Sequence, residues 1–232
     1  MMKTLFVWDL NETIETGSEY SDMIAINNLL EELGSKKRLT KEELKGMPAS
    51  LGAKLRIVIK GAGIAYSEQI RKKVIEHRIK VGLEYSKPVP GAEEALAEVK
   101  KHGDDNIVVT VAPKDVANEM LEKIGLRQYI DEVYSASEER NKKFPERHGD
   151  VENDAPKWKA FCVDKHSRKE HYGRKIFTGD RPEDAEAGNL CGATAFLIGK
   201  ESTADFITKG LTGSVYVVSS PLDAVRIAYA IQ

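Results

Sequence analysis

Asp9, Asn11, Thr110, Asp180 and Asp184 are the residues whose types and places suit chemistry. Asp9 and Asn11 follow the apolar run Leu5-Phe6-Val7-Trp8. Thr110 closes Ile107-Val108-Val109, and Asp180 follows Lys175-Ile176-Phe177-Thr178-Gly179, with Asp184 four residues on. If these runs are parallel strands of one doubly wound sheet, their carboxyl ends converge on a single crevice. Carboxylates gathered there repel one another unless a proton or a cation intervenes. Hard oxygen ligands of this kind suit Mg²⁺, which takes one or two carboxylates and fills its other positions with water and substrate phosphate. A hydroxyl and a lysine beside them would suit an anionic substrate.

The elements that must position these residues follow from apolar spacing. Leu5–Trp8 is rich in strand formers and continuous, as a fully buried parallel strand is. Beyond the prolines Pro88 and Pro90, helices are expected over Ala92–Lys101, Lys114–Ile124, Pro156–Asp164, Pro182–Ala187 and Pro221–Ala230. Strands are expected over Ile107–Val111, Ile130–Tyr134, Lys175–Thr178, Thr194–Ile198 and Val215–Val218. This alternation predicts an α/β fold with a doubly wound parallel sheet. Between the first strand and Pro88 the character changes. Met23, Ile26, Leu29, Leu30 and Leu33 have helical spacing, with Ser18 as the cap and Gly34 as the stop. Thr40–Glu43 reads as a capping box. Ser67 opens a helix carrying Ile70, Val74, Ile75 and Ile79, and only Leu55–Lys60 has strand character. The expected organisation is an α/β core of residues 1–14 and 88–232 with a helical cap, 15–87, inserted after the first strand. A lid so placed would exclude water and choose the substrate.

Composition narrows the function. Lys plus Arg is 35 against 37 for Asp plus Glu, a net charge of −2. That balance gives no footing for nucleic-acid or membrane-surface binding. With 41% hydrophobic residues the chain is not disordered. Cys162 and Cys191 make neither a disulfide framework nor a metal-ligand pattern. No apolar run reaches the length of a membrane span, and the opening stretch is too short for a signal peptide. A cytoplasmic location is expected.

Three segments together carry a resemblance. Phe6-Val7-Trp8-Asp9-Leu10-Asn11-Glu12-Thr13-Ile14, Ile107-Val108-Val109-Thr110 and Phe177-Thr178-Gly179-Asp180-Arg181-Pro182-Glu183-Asp184 stand in order. In that order the chain resembles the haloacid dehalogenase superfamily, with a helical cap inserted after the first motif. The resemblance implies a lysine ahead of the last motif. Lys157, 23 residues before Asp180, is the first choice and Lys159 the second. It further implies that Asp9 attacks the substrate and becomes an aspartyl-phosphate. Thr110 and the lysine would hold phosphoryl oxygens. Mg²⁺ would be held by Asp9, Asp180, Asp184 and the backbone carbonyl of Asn11.

Asn11 departs from the family's phosphatases, which usually carry an aspartate there as general acid and base. An amide cannot exchange that proton, and the function is typically worth about 10²–10⁴-fold. The expectation is a slow phosphatase of a small phosphorylated metabolite. Asp-x-Asn-Glu-Thr also resembles the first motif of some 2-haloacid dehalogenases, which need neither metal nor acid. Those tend to have neutral residues in place of Asp180 and Asp184, and they draw an arginine from the cap, where Arg38 and Arg56 are available. A catalytically impaired relative that only binds a ligand is the remaining alternative.

Other groups have plainer readings. Glu12 neighbours the site, but its side chain should point elsewhere. Gly61-Ala62-Gly63 lacks the third glycine and the strand–helix context of a dinucleotide loop, and reads as a helix joint. His166 and His171 are poorly spaced for a metal and are expected in solvent. Arg140, Lys142, Lys143 and Arg147 read as a solvated face. Trp8 reads as core.

Overall fold

The strand Lys3–Trp8 (β1) is the one on which the sheet is built, and its side chains divide between two apolar layers. Phe6 and Trp8 join a cluster with Leu96, Val108 and Phe196; Leu5 and Val7 join another with Ile107, Val163 and Phe177. This is the period-two alternation of a strand buried on both faces. The computed structural model describes residues 2–44, 47, 51–144, 154–199 and 215–231.

Six parallel strands form the sheet. Besides β1 they are β4 (Asp105–Thr110), β5 (Glu132–Ser135), β6 (Tyr172–Gly179), β7 (Thr194–Ile198) and β8 (Val215–Val218), in the order β5-β4-β1-β6-β7-β8. The chain runs from β1 to one side and later returns to the other, so the switch point lies at β1, where a doubly wound sheet opens its crevice. Among the described residues this unit also holds helices α5 (Ala92–Lys101), α6 (Lys114–Lys123), α7 (Ala136–Lys143), α8 (Ala155–Ser167), α9 (Pro182–Leu190) and α10 (Pro221–Ala230). Glu15–Thr16 (β2) and Lys87–Pro88 (β3) pair as a short antiparallel ribbon, so the chain leaves and rejoins the unit side by side.

The chain divides into two compact units, Met1–Thr16 with Lys87–Gln232, and Gly17–Ser86. The second holds α1 (Ser18–Glu32), α2 (Lys41–Leu44), α3 (Leu51–Gly61) and α4 (Glu68–Tyr85) around Ile26, Leu29, Leu55, Val58 and Val74. The Thr40–Glu43 capping box is present: each residue's backbone N–H donates to the other's side chain. The Ser67 hydroxyl caps α4 by accepting from Ile70 N. Asp22 lies buried in this unit and accepts from Lys54 Nζ at 2.8 Å and from Arg78 Nε at 2.6 Å. No described helix is long and apolar enough to cross a membrane.

Several expectations change. Gly17, not Ser18, is the residue before α1; its φ of 108° and the 2.7 Å between an added Cβ and the Tyr85 carbonyl oxygen exclude a side chain. Leu55–Lys60 lies in α3 because its branched residues serve as the buried stripe of a helix. Helix α7, capped by the Ser135 hydroxyl, lies in a polar stretch where no element was expected. Arg140 is buried rather than solvated, Lys143 lies over the Trp158 and Phe161 rings, and Arg147 falls outside the described residues. His166 is buried between two tyrosines rather than in solvent, whereas His171 is exposed. Trp8 is fully buried, and its indole N–H donates to Asn106 Oδ1 at 2.9 Å.

Candidate active site

Asp9 follows β1 and is tied to the neighbouring strand by its backbone N–H, which donates to the Thr178 carbonyl at 2.9 Å. That strand, β6, ends at Gly179, so Asp180 emerges next to Asp9. Arg181-Pro182 then begins α9, with proline in the first turn where no N–H is needed. Asp184 in the same turn turns back, and its carboxylate accepts from Arg181 N at 3.2 Å. It therefore caps its own helix and faces the site at once. Gly179 makes this approach possible, since a Cβ there would lie 2.3 Å from three atoms of the Asp184 side chain.

Oxygens of Asp9, Asp180 and Asp184 lie within 4.8 Å of one another. Lys159 of α8 reaches into the group; its Nζ is 2.6 Å from Asp9 Oδ1 and 2.6 Å from Asp184 Oδ1. All of these except the half-buried Asp180 are buried. Arg181 Nε stands 3.6 Å from Asp180 Oδ2. Asp180 Oδ1, Asn11 Oδ1 and Thr178 Oγ1 are buried with no hydrogen-bond partner.

Lys159 corrects the choice of Lys157. Pro156, Ala160 and Val163 share the buried stripe of α8, and Lys159 falls on it, whereas Lys157 lies two residues away and is exposed. Lys157 instead lines a separate hollow of about 260 Å³ with Arg140, Phe144, Asp154, Trp158 and Phe161. The apolar positions 156, 160 and 163 could have revealed this beforehand. Arg181 is the charged neighbour that the motif reading passed over.

Burial pushes the Asp180 carboxyl well above the usual carboxylate range, and the charges of Asp9 and Asp184 push it further. Burial also raises Asp9, though the Lys159 ammonium holds that rise back. For Lys159 burial works against the charge, but Asp184 and Asp9 outweigh it and hold the amine above the ordinary lysine range. The Lys159 ammonium and the Arg181 guanidinium together do not balance three carboxylates. Converging hard oxygens, surplus negative charge and an unpartnered Asp180 Oδ1 fit a small divalent cation such as Mg²⁺.

Thr110 ends β4 beside β1; it is fully buried, and its Oγ1 accepts from Ala112 N at 3.2 Å. Asn11 bridges to Glu15 through its backbone. Glu12 adopts φ 56° and accepts from Thr16 Oγ1 at 2.9 Å. Arg38 bonds Ser35, Lys37 and Glu31, and Arg56 lies over the Tyr66 ring.

Residues 6–198 match a family model described as haloacid dehalogenase-like hydrolase. No curated protein matches the sequence. Solved structures resemble the whole chain. A haloacid dehalogenase-like family hydrolase from Streptococcus pneumoniae is 17% identical with a TM-score of 0.66, covering 99% of both chains. A conserved haloacid dehalogenase-like protein of unknown function from Agrobacterium tumefaciens is 18% identical with a TM-score of 0.68, covering 98% of both. CbbY from Rhodobacter sphaeroides, crystallised with phosphate, is 14% identical with a TM-score of 0.67, covering 96% of both. A variant of the same CbbY was crystallised with xylulose-(1,5)bisphosphate.

Proposed function

The chain belongs to the haloacid dehalogenase-like hydrolases, and from that premise we propose that it is a Mg²⁺-dependent phosphatase of a small phosphorylated metabolite. The observation that carries this reading is the set Asp9, Asp180 and Asp184 gathered around Lys159. The phosphate and the sugar bisphosphate bound by CbbY lend it support.

Asp9 is the nucleophile. Lys159 favours its ionised form, which is the form that attacks phosphorus. The bond to the leaving oxygen breaks as the bond to Asp9 forms, giving an aspartyl-phosphate that water then hydrolyses. Thr110 and Lys159 take the phosphoryl oxygens. Asp9, Asp180 and the Asn11 carbonyl would hold Mg²⁺, with Asp184 beside them; bound there, the ion supplies positive charge against the phosphoryl oxygens. Asn11 can accept a hydrogen bond from water through its unpartnered Oδ1, yet it cannot take or give a proton. Turnover should therefore be slow wherever the leaving alkoxide must be protonated. The helical insert serves as a cap that selects the substrate.

The test compares an aryl and an alkyl phosphate, with Mg²⁺ and with chelator, in the wild type and in Asn11→Asp. We expect Mg²⁺-dependent phosphate release from the aryl ester, and a gain of about 10²-fold for the alkyl ester in the variant. Metal-independent halide release from a 2-haloacid would overturn the reading. Binding of phosphate esters with no turnover in either form would do so too.

A further inference from the structure

The feature that the reaction leaves unused is a buried histidine on the helix that carries Lys159. His166 Nδ1 is 3.2 Å from the Tyr134 hydroxyl, and its Nε2 is 3.0 Å from the Tyr172 hydroxyl. Tyr172 in turn donates to Asp105 Oδ2 at 2.8 Å, and Lys169 Nζ donates to the Tyr134 oxygen at 3.1 Å. The direction of every bond follows from the two ends. An ionised carboxylate only accepts, so the single Tyr172 proton points at Asp105. The Tyr172 oxygen must then accept from Nε2–H. With that proton on Nε2, Nδ1 is a lone pair and accepts from Tyr134. Tyr134 has then used its proton and accepts from the Lys169 ammonium. The chain Lys169–Tyr134–His166–Tyr172–Asp105 thus fixes one neutral tautomer.

The relay ties α8 to the amino ends of two strands and to a third strand beside them. Asp105 and Tyr172 begin β4 and β6, and Tyr134 lies in β5. His166 lies seven residues after Lys159 on the same buried stripe. Two helical turns, about 10 Å, separate them on one rigid rod. Lys159 bridges two carboxylates at 2.6 Å each, so a small slide of α8 takes it out of reach of one.

We propose that His166 is a positioning residue for Lys159: its neutral Nε2–H form closes the relay that seats α8, and protonation opens it. This rests on the phosphatase reading only for the role given to Lys159. A proton on Nδ1 would make the Tyr134 oxygen face two cationic donors and would deprive the Tyr134 proton of its acceptor. The charged groups around the imidazole divide. Lys169 and Lys165 lie against the Tyr134 ring, and Glu139 of α7 pairs with Lys165. Asp105, Glu132 and Asp131 stand on the sheet side, and Lys3 pairs with Asp105 and Glu170. Burial, and after it Lys169, holds the imidazole below the ordinary histidine range.

The experiment is a pH titration of the intact protein by ¹⁵N NMR of its histidine rings and of the Lys159 Nζ, beside the pH profile of kcat and KM. We expect His166 as the Nε2–H tautomer at neutral pH. Its protonation should shift the Lys159 signal with the same midpoint, and kcat should fall there while KM holds. In His166→Phe, which keeps the ring packing, the part of the acidic limb due to His166 should vanish, leaving that of the Asp9 carboxyl, and kcat should be about tenfold below wild type at neutral pH and converge with it below the His166 midpoint. An Nδ1–H tautomer, a Lys159 signal that ignores the titration, or an unchanged kcat profile in the variant would each overturn the proposal. Should the variant not fold, the wild-type titration decides alone. Should no phosphate ester be turned over, the Lys159 signal still decides the positioning role, and the phosphatase reading fails separately.

Discussion

Around Lys159 three aspartates crowd one buried ammonium; around Asp22 two cations share one buried carboxylate. The two clusters lie in different units and are unbalanced in opposite directions. In the helical insert both oxygens of Asp22 are taken, by Lys54 and Arg78, and the three residues join α1, α3 and α4. In the α/β unit Asp180 Oδ1 has no partner. The insert's cluster is complete as a tie between helices. On the reading proposed above, a cation and an anionic substrate complete the other. Buried charge in a protein is weak testimony to stability; surplus charge of one sign with an orphaned oxygen is better testimony to a ligand.

The largest effect that separates the two clusters is on activity. Asp9→Asn removes the proposed nucleophile and should lower kcat by at least about 10⁴-fold. It should leave the urea unfolding midpoint within reach of the wild type. Steady-state kinetics on an aryl phosphate checks this, and a variant with a tenth of wild-type activity would remove Asp9 from its role.

Next in size is the loss of the tie in the insert. Asp22→Ala leaves the buried Lys54 and the half-buried Arg78 without their carboxylate and should cost about 3–5 kcal/mol. Replacing all three residues by apolar ones of similar volume should restore most of that loss. Mg²⁺ should change neither result, as measured by urea denaturation with and without chelator. Rescue of Asp22→Ala by Mg²⁺ would mean that the insert's cluster also takes a ligand.

Asp180→Asn should act with the opposite sign. Its carboxyl titrates above the usual range in the folded chain, so the folded state holds a proton that the unfolded state has lost. Stability of the wild type then falls as pH rises from about 4 upward through that range. In chelator at pH 8 the variant should be more stable by about 2 kcal/mol, and the gain should disappear below about pH 4. Mg²⁺ should reverse the ranking, since a ligand at 100 times its Kd contributes about 2.7 kcal/mol to the form that binds it. A variant less stable than wild type in chelator would show that Asp180 is not held against its neighbours' charge.

These contrasts bear on what a reader of the sequence can see. The α/β fold was legible because Leu5–Trp8, Ile107–Thr110, Thr194–Ile198 and Val215–Val218 are apolar runs of strand length between turns. Asp9, Asp180 and Asp184 were legible because strand ends point to the crevice. Lys159 was half legible: the apolar stripe of α8 selects it over Lys157, but lysine-rich sequence hid the stripe. The Asp22–Lys54–Arg78 tie and the His166 relay left no local signal. Their members are 24 or more residues apart in the first case and spread over three strands and a helix in the second. Only packing brings such groups together.

The smallest effect contrasts the two units in their backbones. Glu12, one residue past Asn11, holds φ 56°, where a side chain costs about 1–2 kcal/mol. Gly17, where the insert begins, holds φ 108° without that cost. Strain that persists beside a site is a pointer to function, and at Glu12 the carboxylate offsets part of it by accepting from Thr16. Glu12→Ala keeps the strain and loses that bond, whereas Glu12→Gly loses both. The glycine variant should therefore be the more stable of the two by about 1 kcal/mol, less the extra freedom glycine gives the unfolded chain. At Gly17 glycine is again the better residue and by a wider margin, because alanine there meets the Tyr85 carbonyl at 2.7 Å as well as an unfavourable φ. Urea midpoints of the three variants measure both differences. Equal stability of Glu12→Ala and Glu12→Gly would show that the loop after Asn11 relaxes freely, and that its shape is set by the ribbon at Glu15 rather than by strain.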